Sequence, residues 1–315
     1  MQKEIKIPEN DKVAAIVILY LPTENSLIRL LLTIQGIVNY VCIVNNTPTQ
    51  QITWVSNTWF AAHGFEVLYQ ALGDNLGIAK AQNVGIEMAT QAGCDHVILF
   101  DQDSEATEGM VATLLAQERL LLKRGVKVGS VGPVYIDEKT GEYASAYKQS
   151  IFFERRAVKI NAKDISAIDV TSLIASGSLI RTSVLQEVGG MSDELFIDWV
   201  DIEWSLRAGR FGYSHFMIPT TVMRHKIGDS FLNIGIKKIN IHNDVRKYYI
   251  IRNACFLLIS KDMSPKWRLV TAFKIPTFIL IYLIISKKKI KLIKLMWTAV
   301  KHGFCGRLGR ANISI

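Results

Sequence analysis

Four stretches of this 315-residue chain gather side chains that could do chemistry. The first is Asp101-Gln102-Asp103, which follows the apolar run Val97–Phe100 directly. In an extended turn alternate side chains point to one side, and two carboxylates aimed at one point repel each other unless a cation sits between them. Hard divalent ions with oxygen ligands, Mg²⁺ or Mn²⁺, suit such a pair and commonly share their coordination with phosphates. The plainer alternative is a solvated acidic turn, or an N-cap for a helix starting near Thr107.

The second stretch is Asp198-Trp199-Val200-Asp201-Ile202-Glu203-Trp204, three acids and two aromatics in seven residues. Acids in the first turn of a helix complement its dipole, so capping alone would account for them. A carboxylate beside aromatic walls can also take a proton from an attacking hydroxyl. The third is Asp74-Asn75-Leu76-Gly77, a turn leading into a helix, with Gln82 and Asn83 inside that helix. Amides near a helix N-terminus suit the phosphates or sugar of a bound nucleotide. The fourth is His225, in Met223-Arg224-His225-Lys226, a surface or structural histidine unless it completes a metal site.

Elements must position these groups. Val13–Tyr20, Val41–Val44, Phe65–Tyr69, His96–Phe100 and Val126–Val131 read as strands; helices are expected from Asn25 or Ser26 and over Trp54–Ala62, Ile78–Ala92 and Thr107–Lys123. Strands that are continuous apolar runs alternating with helices predict a parallel sheet covered on both faces. Ligands of such sheets bind beyond the carboxyl ends of the strands, which is where Asp101 falls. After residue 132 the pattern changes to a hairpin over Tyr135–Tyr143, an extended Ser172–Ile180, helices over Thr182–Val188 and Ile202–Arg210, and an extended Tyr213–Ile218.

Charge is unevenly spread. Residues 261–310 carry twelve Lys and Arg against one Asp, while residues 1–260 hold 25 basic and 27 acidic side chains. A near-neutral body argues against nucleic acid as a partner; a basic tail mixed with apolar residues suggests an anionic membrane surface. The longest apolar run, Ile275–Ile285, is shorter than the roughly 20 residues of a membrane span, so an interfacial or buried helix is expected. The four cysteines show no CxxC spacing, which argues against structural zinc and a disulfide framework and fits a reducing cytoplasm. The polar N-terminus has no signal-peptide pattern. Leu21-Pro22-Thr23 after the first strand, in place of a glycine-rich turn, argues against a dinucleotide oxidoreductase.

In order along the chain come Val44-Asn45-Asn46-Thr47, Asn75-Leu76-Gly77-Ile78-Ala79-x-Ala81-Gln82-Asn83-x-Gly85, Leu99-Phe100-Asp101-Gln102-Asp103-Ser104, Gly189-Gly190-Met191, then Asp198-x-Val200-Asp201-x-Glu203-Trp204-x-x-Arg207 and His225-x-x-Gly228. This series, over about residues 13–255, resembles the family 2 glycosyltransferases, and within them the bacterial dTDP-rhamnosyltransferases of O-antigen and related polysaccharide assembly. The resemblance implies an α/β fold of GT-A type: a Rossmann-like mixed sheet flanked by helices in residues 1–242, with a helical, basic, membrane-associating extension over 243–315. It implies Mg²⁺ or Mn²⁺ on Asp101 and Asp103 with His225 joining the metal or diphosphate, Asp201 as catalytic base with Asp198 as second choice, and donor contacts from Asn45, Asn75, Lys80, Asn83 and Asp101. Val200 departs from the usual Glu of the Glu-Asp motif, and Asn45 from the usual Asp that meets the donor base. The partners implied are a dTDP-sugar donor and a lipid-linked saccharide acceptor, at the cytoplasmic face of the inner membrane, with peripheral or monotopic attachment. Another nucleotide sugar, such as a UDP-hexose, UDP-galactofuranose or UDP-N-acetylhexosamine, fits the same motifs. More distant is a non-catalytic membrane-associated binding protein.

Overall fold

All seven residues of β1 (Val13–Leu19) are buried, as a strand covered on both faces requires. A computed structural model describes residues 11–48, 57–137, 146–148, 156–158, 166–225, 230–234, 237–241, 243–261, 263–286 and 288–313. After β1 come α1 (Glu24–Ile34), β2 (Tyr40–Asn45), α2 (Asn57–Ala62), β3 (Val67–Ala71), α3 (Ile78–Gln91), β4 (His96–Asp101) and α4 (Met110–Lys123). Next are β5 (Val128–Asp137), β6 (Ala146–Lys148), β7 (Arg156–Val158), β8 (Ile168–Val170), β9 (Leu179–Arg181), α5 (Thr182–Val188) and α6 (Val200–Arg210). The chain then forms β10 (Ser214–His225), β11 (Ser230–Ile234), β12 (Lys237–Ile241), α7 (Asp244–Ile259), α8 (Pro265–Ile285) and α9 (Lys289–Phe304).

Eight strands form one sheet in the order β3-β2-β1-β4-β9-β5-β10-β8. The expectation of a parallel sheet holds for β3-β2-β1-β4 and for the β5–β10 pair. It fails at β9, which runs antiparallel to both β4 and β5, and at the edge strand β8. The connection through α4 carries the chain one place beyond β4's neighbour, and the three-residue β9 later fills the gap. The sheet is therefore mixed. The hairpin expected over Tyr135–Tyr143 is replaced up to Asp137 by the end of β5, and residues 138–145 lie outside the described residues, as does the first part of the helix expected from Trp54.

The two faces of β1 seed two cores. Val13, Ala15, Val17 and Leu19 pack with α1 and α4 residues such as Leu27, Leu31, Val111 and Leu115. Ala14, Ile16 and Ile18 pack with α3, α5 and α6 through Ala81, Leu185 and Trp204. Helix α3 comes so close to the sheet that a Cβ at Gly85 would lie 2.4 Å from Ile16 Cγ2. That spacing explains the small residues on its inner face.

A third core joins α7 to α8 and α9 and includes Phe196 from the loop before α6. Helix α8 differs from expectation. Ser264 caps it, Pro265 occupies the first turn, and the helix runs straight through Lys274 and Pro276 for 21 residues. By length and composition it could cross a membrane. Only one side of it is buried, through Trp267, Thr271, Ile275 and Tyr282.

Candidate active site

Asp101 is the last residue of β4, and its neighbours hold the acidic turn open. The Asp101 amide donates to Ser176 Oγ at 3.2 Å, and the Asp101 carbonyl accepts from the Ser104 amide at 3.0 Å. Ser104 Oγ and Ser176 Oγ, both buried, are 2.6 Å apart. Gln102, between the two acids, is the anchor. Its Oε1 accepts from the Tyr20 amide at 2.8 Å and its Nε2 donates to the Tyr20 carbonyl at 3.1 Å, fastening the turn to the loop after β1. Asp101 is partly buried and Asp103 exposed. The cluster caps no helix: α4 begins after Gly109, which is in the left-handed region, with no side-chain cap. The expected start at Thr107 is thus three residues early, and the Thr107 hydroxyl donates instead to the Val222 carbonyl.

Asp201 is reached through an unusual loop. Phe196, Asp198 and Trp199 all have positive φ, at 65°, 63° and 68°, a region that costs energy for residues with a Cβ. Trp199, in the left-handed region, occupies the cap of α6, so the helix starts two residues before the expected Ile202 and Asp201 is its second residue. An Asp201 oxygen accepts from the Ile202 amide at 2.9 Å. Burial raises the carboxyl to about 6 against the pull of that hydrogen bond, and the charges of Asp198 and Asp101 push it the same way as burial. Tyr135, on β5, sits against both sites: burial and then the charges of Asp201 and Asp101 raise its hydroxyl well above the ordinary range. Its hydroxyl donates to the Ser176 carbonyl at 2.8 Å. Sequence reasoning missed Tyr135 because it looked like the first residue of a hairpin.

The flanking acids have other tasks. Asp198 accepts from Arg246 Nη2 at 2.7 Å and from Nε at 3.3 Å. Glu203 is buried and pairs with Arg207, whose guanidinium also donates to the carbonyls of Val188 and Gly190. A Cβ at Gly190 would lie 2.4 Å from Asn83 Oδ1, so the Gly-Gly pair lets that loop close on α3. Of the three acids, Asp201 is the one whose carboxylate is not paired with an arginine among the described residues and feels the charge of Asp101.

The stretch expected to meet the donor divides in two. Asn45, at the end of β2, donates to Tyr69 Oη at 3.2 Å and accepts from the Thr47 amide at 3.1 Å. Asn75 Oδ1 accepts from the Gly77 amide at 3.0 Å and from Asn46 Nδ2 at 3.1 Å, while Asn46 Oδ1 accepts from the Leu76 amide at 2.8 Å. Asn46, not singled out from sequence, is therefore the link between the loops after β2 and β3. Gly77 lies against Phe196, whose carbonyl accepts from the Ile78 amide at 2.7 Å; a Cβ at Gly77 would lie 2.6 Å from that same oxygen. Asn45, Asn75 and Asp101 thus sit at one edge of the sheet, beside the loop that leads to Asp201. Lys80 and Asn83 turn elsewhere. Asn83 bonds both the amide and the carbonyl of Met191 and the Asp193 carboxylate, and Lys80 pairs with Asp193 at 3.2 Å. These two position the loop after α5, and the Asn83 amide is fully used in doing so. His225 ends β10 with its backbone opposite Asp137; the placement of its side chain lies outside what is described.

Searches against protein-family models return no match. Comparison with curated proteins finds the dTDP-rhamnosyl transferase RfbF of Shigella flexneri, 32% identical over 308 residues that cover 95% of this chain and 98% of the relative. Among solved structures, GalNAc-T7 with UDP, GalNAc and Mn²⁺ superposes with a TM-score of 0.57 at 12% identity, covering 89% of this chain and 58% of that one. The S. aureus protein TarS, residues 1–349 with UDP-GlcNAc, gives a TM-score of 0.53 at 14% identity, covering 91% of this chain and 79% of that one. The structural likenesses establish the fold, and the full-length identity establishes the kinship: this chain is a glycosyltransferase of GT-A fold, belonging to the family of the dTDP-rhamnosyl transferase RfbF.

Proposed function

We propose that this enzyme transfers L-rhamnose from dTDP-β-L-rhamnose to a hydroxyl of a lipid-linked saccharide in cell-surface polysaccharide (O-antigen) synthesis, inverting the anomeric centre to give an α-L-rhamnoside. The observation that carries the reading is the meeting of Asp201, with its carboxyl raised to about 6, and the Asp101 turn at one sheet edge; the kinship with a dTDP-rhamnosyl transferase supports the choice of donor. A carboxylate of that basicity, ionised at neutral pH, is matched to general-base work.

In this reading Asp201 takes the proton of the acceptor hydroxyl as its oxygen attacks the anomeric carbon. The bond from that carbon to the donor's phosphate oxygen breaks on the opposite side, and dTDP leaves with the electron pair. Asp101 and Asp103 would hold Mg²⁺ or Mn²⁺, which neutralises charge on the departing diphosphate. The donor set fits such an ion: two carboxylates with a single anchored residue between them, at an edge open to solvent. Donor phosphates and water, together with His225 in this reading, would complete the coordination.

The C-terminal helices support attachment to a membrane surface, which in this reading is the cytoplasmic face of the inner membrane. Phe273, Ile290 and Trp297 are 70%, 76% and 72% exposed, and Lys274, Lys288, Lys291 and Lys294 lie among them in the chain, a mixture of apolar and cationic side chains that suits an anionic membrane surface. Because the other side of α8 is packed on the protein, an interfacial seating of α8 and α9 accounts for both sides of the helix.

The test is nucleotide release from a panel of nucleotide sugars by the purified protein with Mn²⁺ and a lipid-linked acceptor extract. dTDP release from dTDP-rhamnose alone is expected, abolished by chelator. Release from a UDP-sugar instead would overturn the donor assignment, and no release from any donor would overturn the reaction.

A further inference from the structure

The loop Leu195–Trp199 aims Asp201, yet it holds three non-glycine residues at positive φ within four positions, a conformation that persists only where its surroundings enforce it. The enforcement comes from α7. The amide nitrogen of Asn253, a fully buried residue, lies 3.0, 2.8 and 2.9 Å from the carbonyl oxygens of Leu195, Ile197 and Asp198. Arg252, also fully buried, donates from Nε to Asn253 Oδ1 at 2.8 Å, which fixes the amide's orientation, and from Nη2 to the Leu195 carbonyl at 2.8 Å. One helical turn back, the carbonyl of Ile250 accepts from Trp199 Nε1 at 3.1 Å. A buried amide and guanidinium are poor choices for mere packing, since each must find partners for every donor. Here their donors are directed at the carbonyls of that loop, with two further bonds from Arg252, to the carbonyls of Glu194 just before it and of Gly309.

We propose that Asn253, oriented by Arg252, is a positioning residue for glycosyl transfer: it holds the Leu195–Trp199 loop in its left-handed conformation and so sets the aim of Asp201 toward the Asp101 edge. The assignment rests on Asp201 being the base. It makes α7 part of the catalytic apparatus, although no α7 side chain is required to touch the sugar. A small displacement of a reacting group is enough to cost much of the rate, while the donor-binding edge at Asn45, Asn75 and Asp101, which meets this loop at the Ile78 amide and the Phe196 carbonyl, has further bonds of its own.

The test compares Asn253→Ala and Trp199→Phe with the wild type, measuring kcat, donor KM, thymidine diphosphate affinity by calorimetry with Mn²⁺, and the melting temperature. Asn253→Ala is expected to lower kcat by roughly tenfold or more with KM and nucleotide affinity within about threefold. Trp199→Phe, which loses one tether and part of the indole packing but keeps an aromatic ring there, is expected to lower kcat by about threefold with nucleotide affinity unchanged and only a small fall in melting temperature. A purely structural role would scale activity and nucleotide binding down together with the folded fraction. That result, or a kcat within about twofold of wild type in Asn253→Ala, would overturn the proposal; if Asn253→Ala does not fold, the Trp199→Phe kcat decides. Asp201→Asn separates the two readings: full turnover in that variant defeats the base assignment itself, whereas an inactive Asp201→Asn beside an unaffected Asn253→Ala defeats only the positioning role.

Discussion

Arg246 Nη2 stands 2.7 Å from Asp198 Oδ1, an ion pair between α7 and the loop that precedes Asp201, with the aspartate side of the pair largely buried. The pair keeps a second negative charge next to the proposed base while committing it elsewhere. Asp198 raises the Asp201 carboxyl, so Asp198→Asn lowers it, and the acid limb of the kcat profile, expected near pH 6 in the wild type, is expected to move to lower pH. Arg246→Met leaves the Asp198 charge uncompensated and moves the limb upward. Profiles of both variants check this; limbs that move in the same direction would refute the electrostatic relationship.

Asp201 also sets a stability trend. Its carboxyl is raised from 3.8 to about 6 in the fold, so the fold favours the protonated form. The penalty is absent below about pH 4, grows between pH 4 and 6, and is complete above 6. Asp201→Asn removes it, and the metal-free variant is expected to be more stable than wild type by about 1–3 kcal/mol at pH 7.5 and equal to it near pH 4. Urea denaturation at the two pH values measures the difference. The same variant is expected to bind thymidine diphosphate with Mn²⁺ normally and to turn over at least about a hundredfold more slowly.

Asp103 is exposed and holds no other described residue by a hydrogen bond or ion pair, whereas Gln102 ties the turn to Tyr20. Asp103→Ala is therefore expected to abolish the Mn²⁺ dependence of nucleotide binding without lowering the melting temperature. Gln102→Ala is expected to lose stability by about 1 kcal/mol and keep the metal dependence. Calorimetric titrations with and without Mn²⁺, beside melting curves, distinguish the two.

Phe273 and Trp297 stand out from α8 and α9. Replacing both by Ser is expected to reduce co-sedimentation with phosphatidylglycerol–phosphatidylcholine vesicles by roughly tenfold or more, while thymidine diphosphate affinity is unchanged. Wild-type binding should also weaken as salt is raised, through the lysines around that face. Equal binding by variant and wild type would exclude this surface as the membrane contact.

Much of the frame was legible in the residues. β1 and β4 are apolar runs whose length and composition leave little choice but buried strands, and the rule that parallel strands present ligand sites at their carboxyl ends put Asp101-Gln102-Asp103 at the working edge. The charge of the tail and the order of motifs along the chain, from Asn45 to Asp201, needed no coordinates either. Three features did. β9 has three residues, too few to show a period, so its antiparallel insertion is decided by the gap that α4 leaves in the sheet. α8 hides its full length because Lys274 and Pro276 interrupt the apolar run, while its helical continuity depends on backbone bonds that composition does not display. Asp198 and Asp201 are the same residue type three positions apart; the motif resemblance ranks Asp201 first, but the local chemistry of the stretch does not separate them. Only the fold brings Arg246, 48 residues away, to one of them, and carries Tyr135 and Asp101 to the other. Spacing along the chain reports which groups are available; which carboxylate is paired and which is left to act depends on the charges that distant segments deliver.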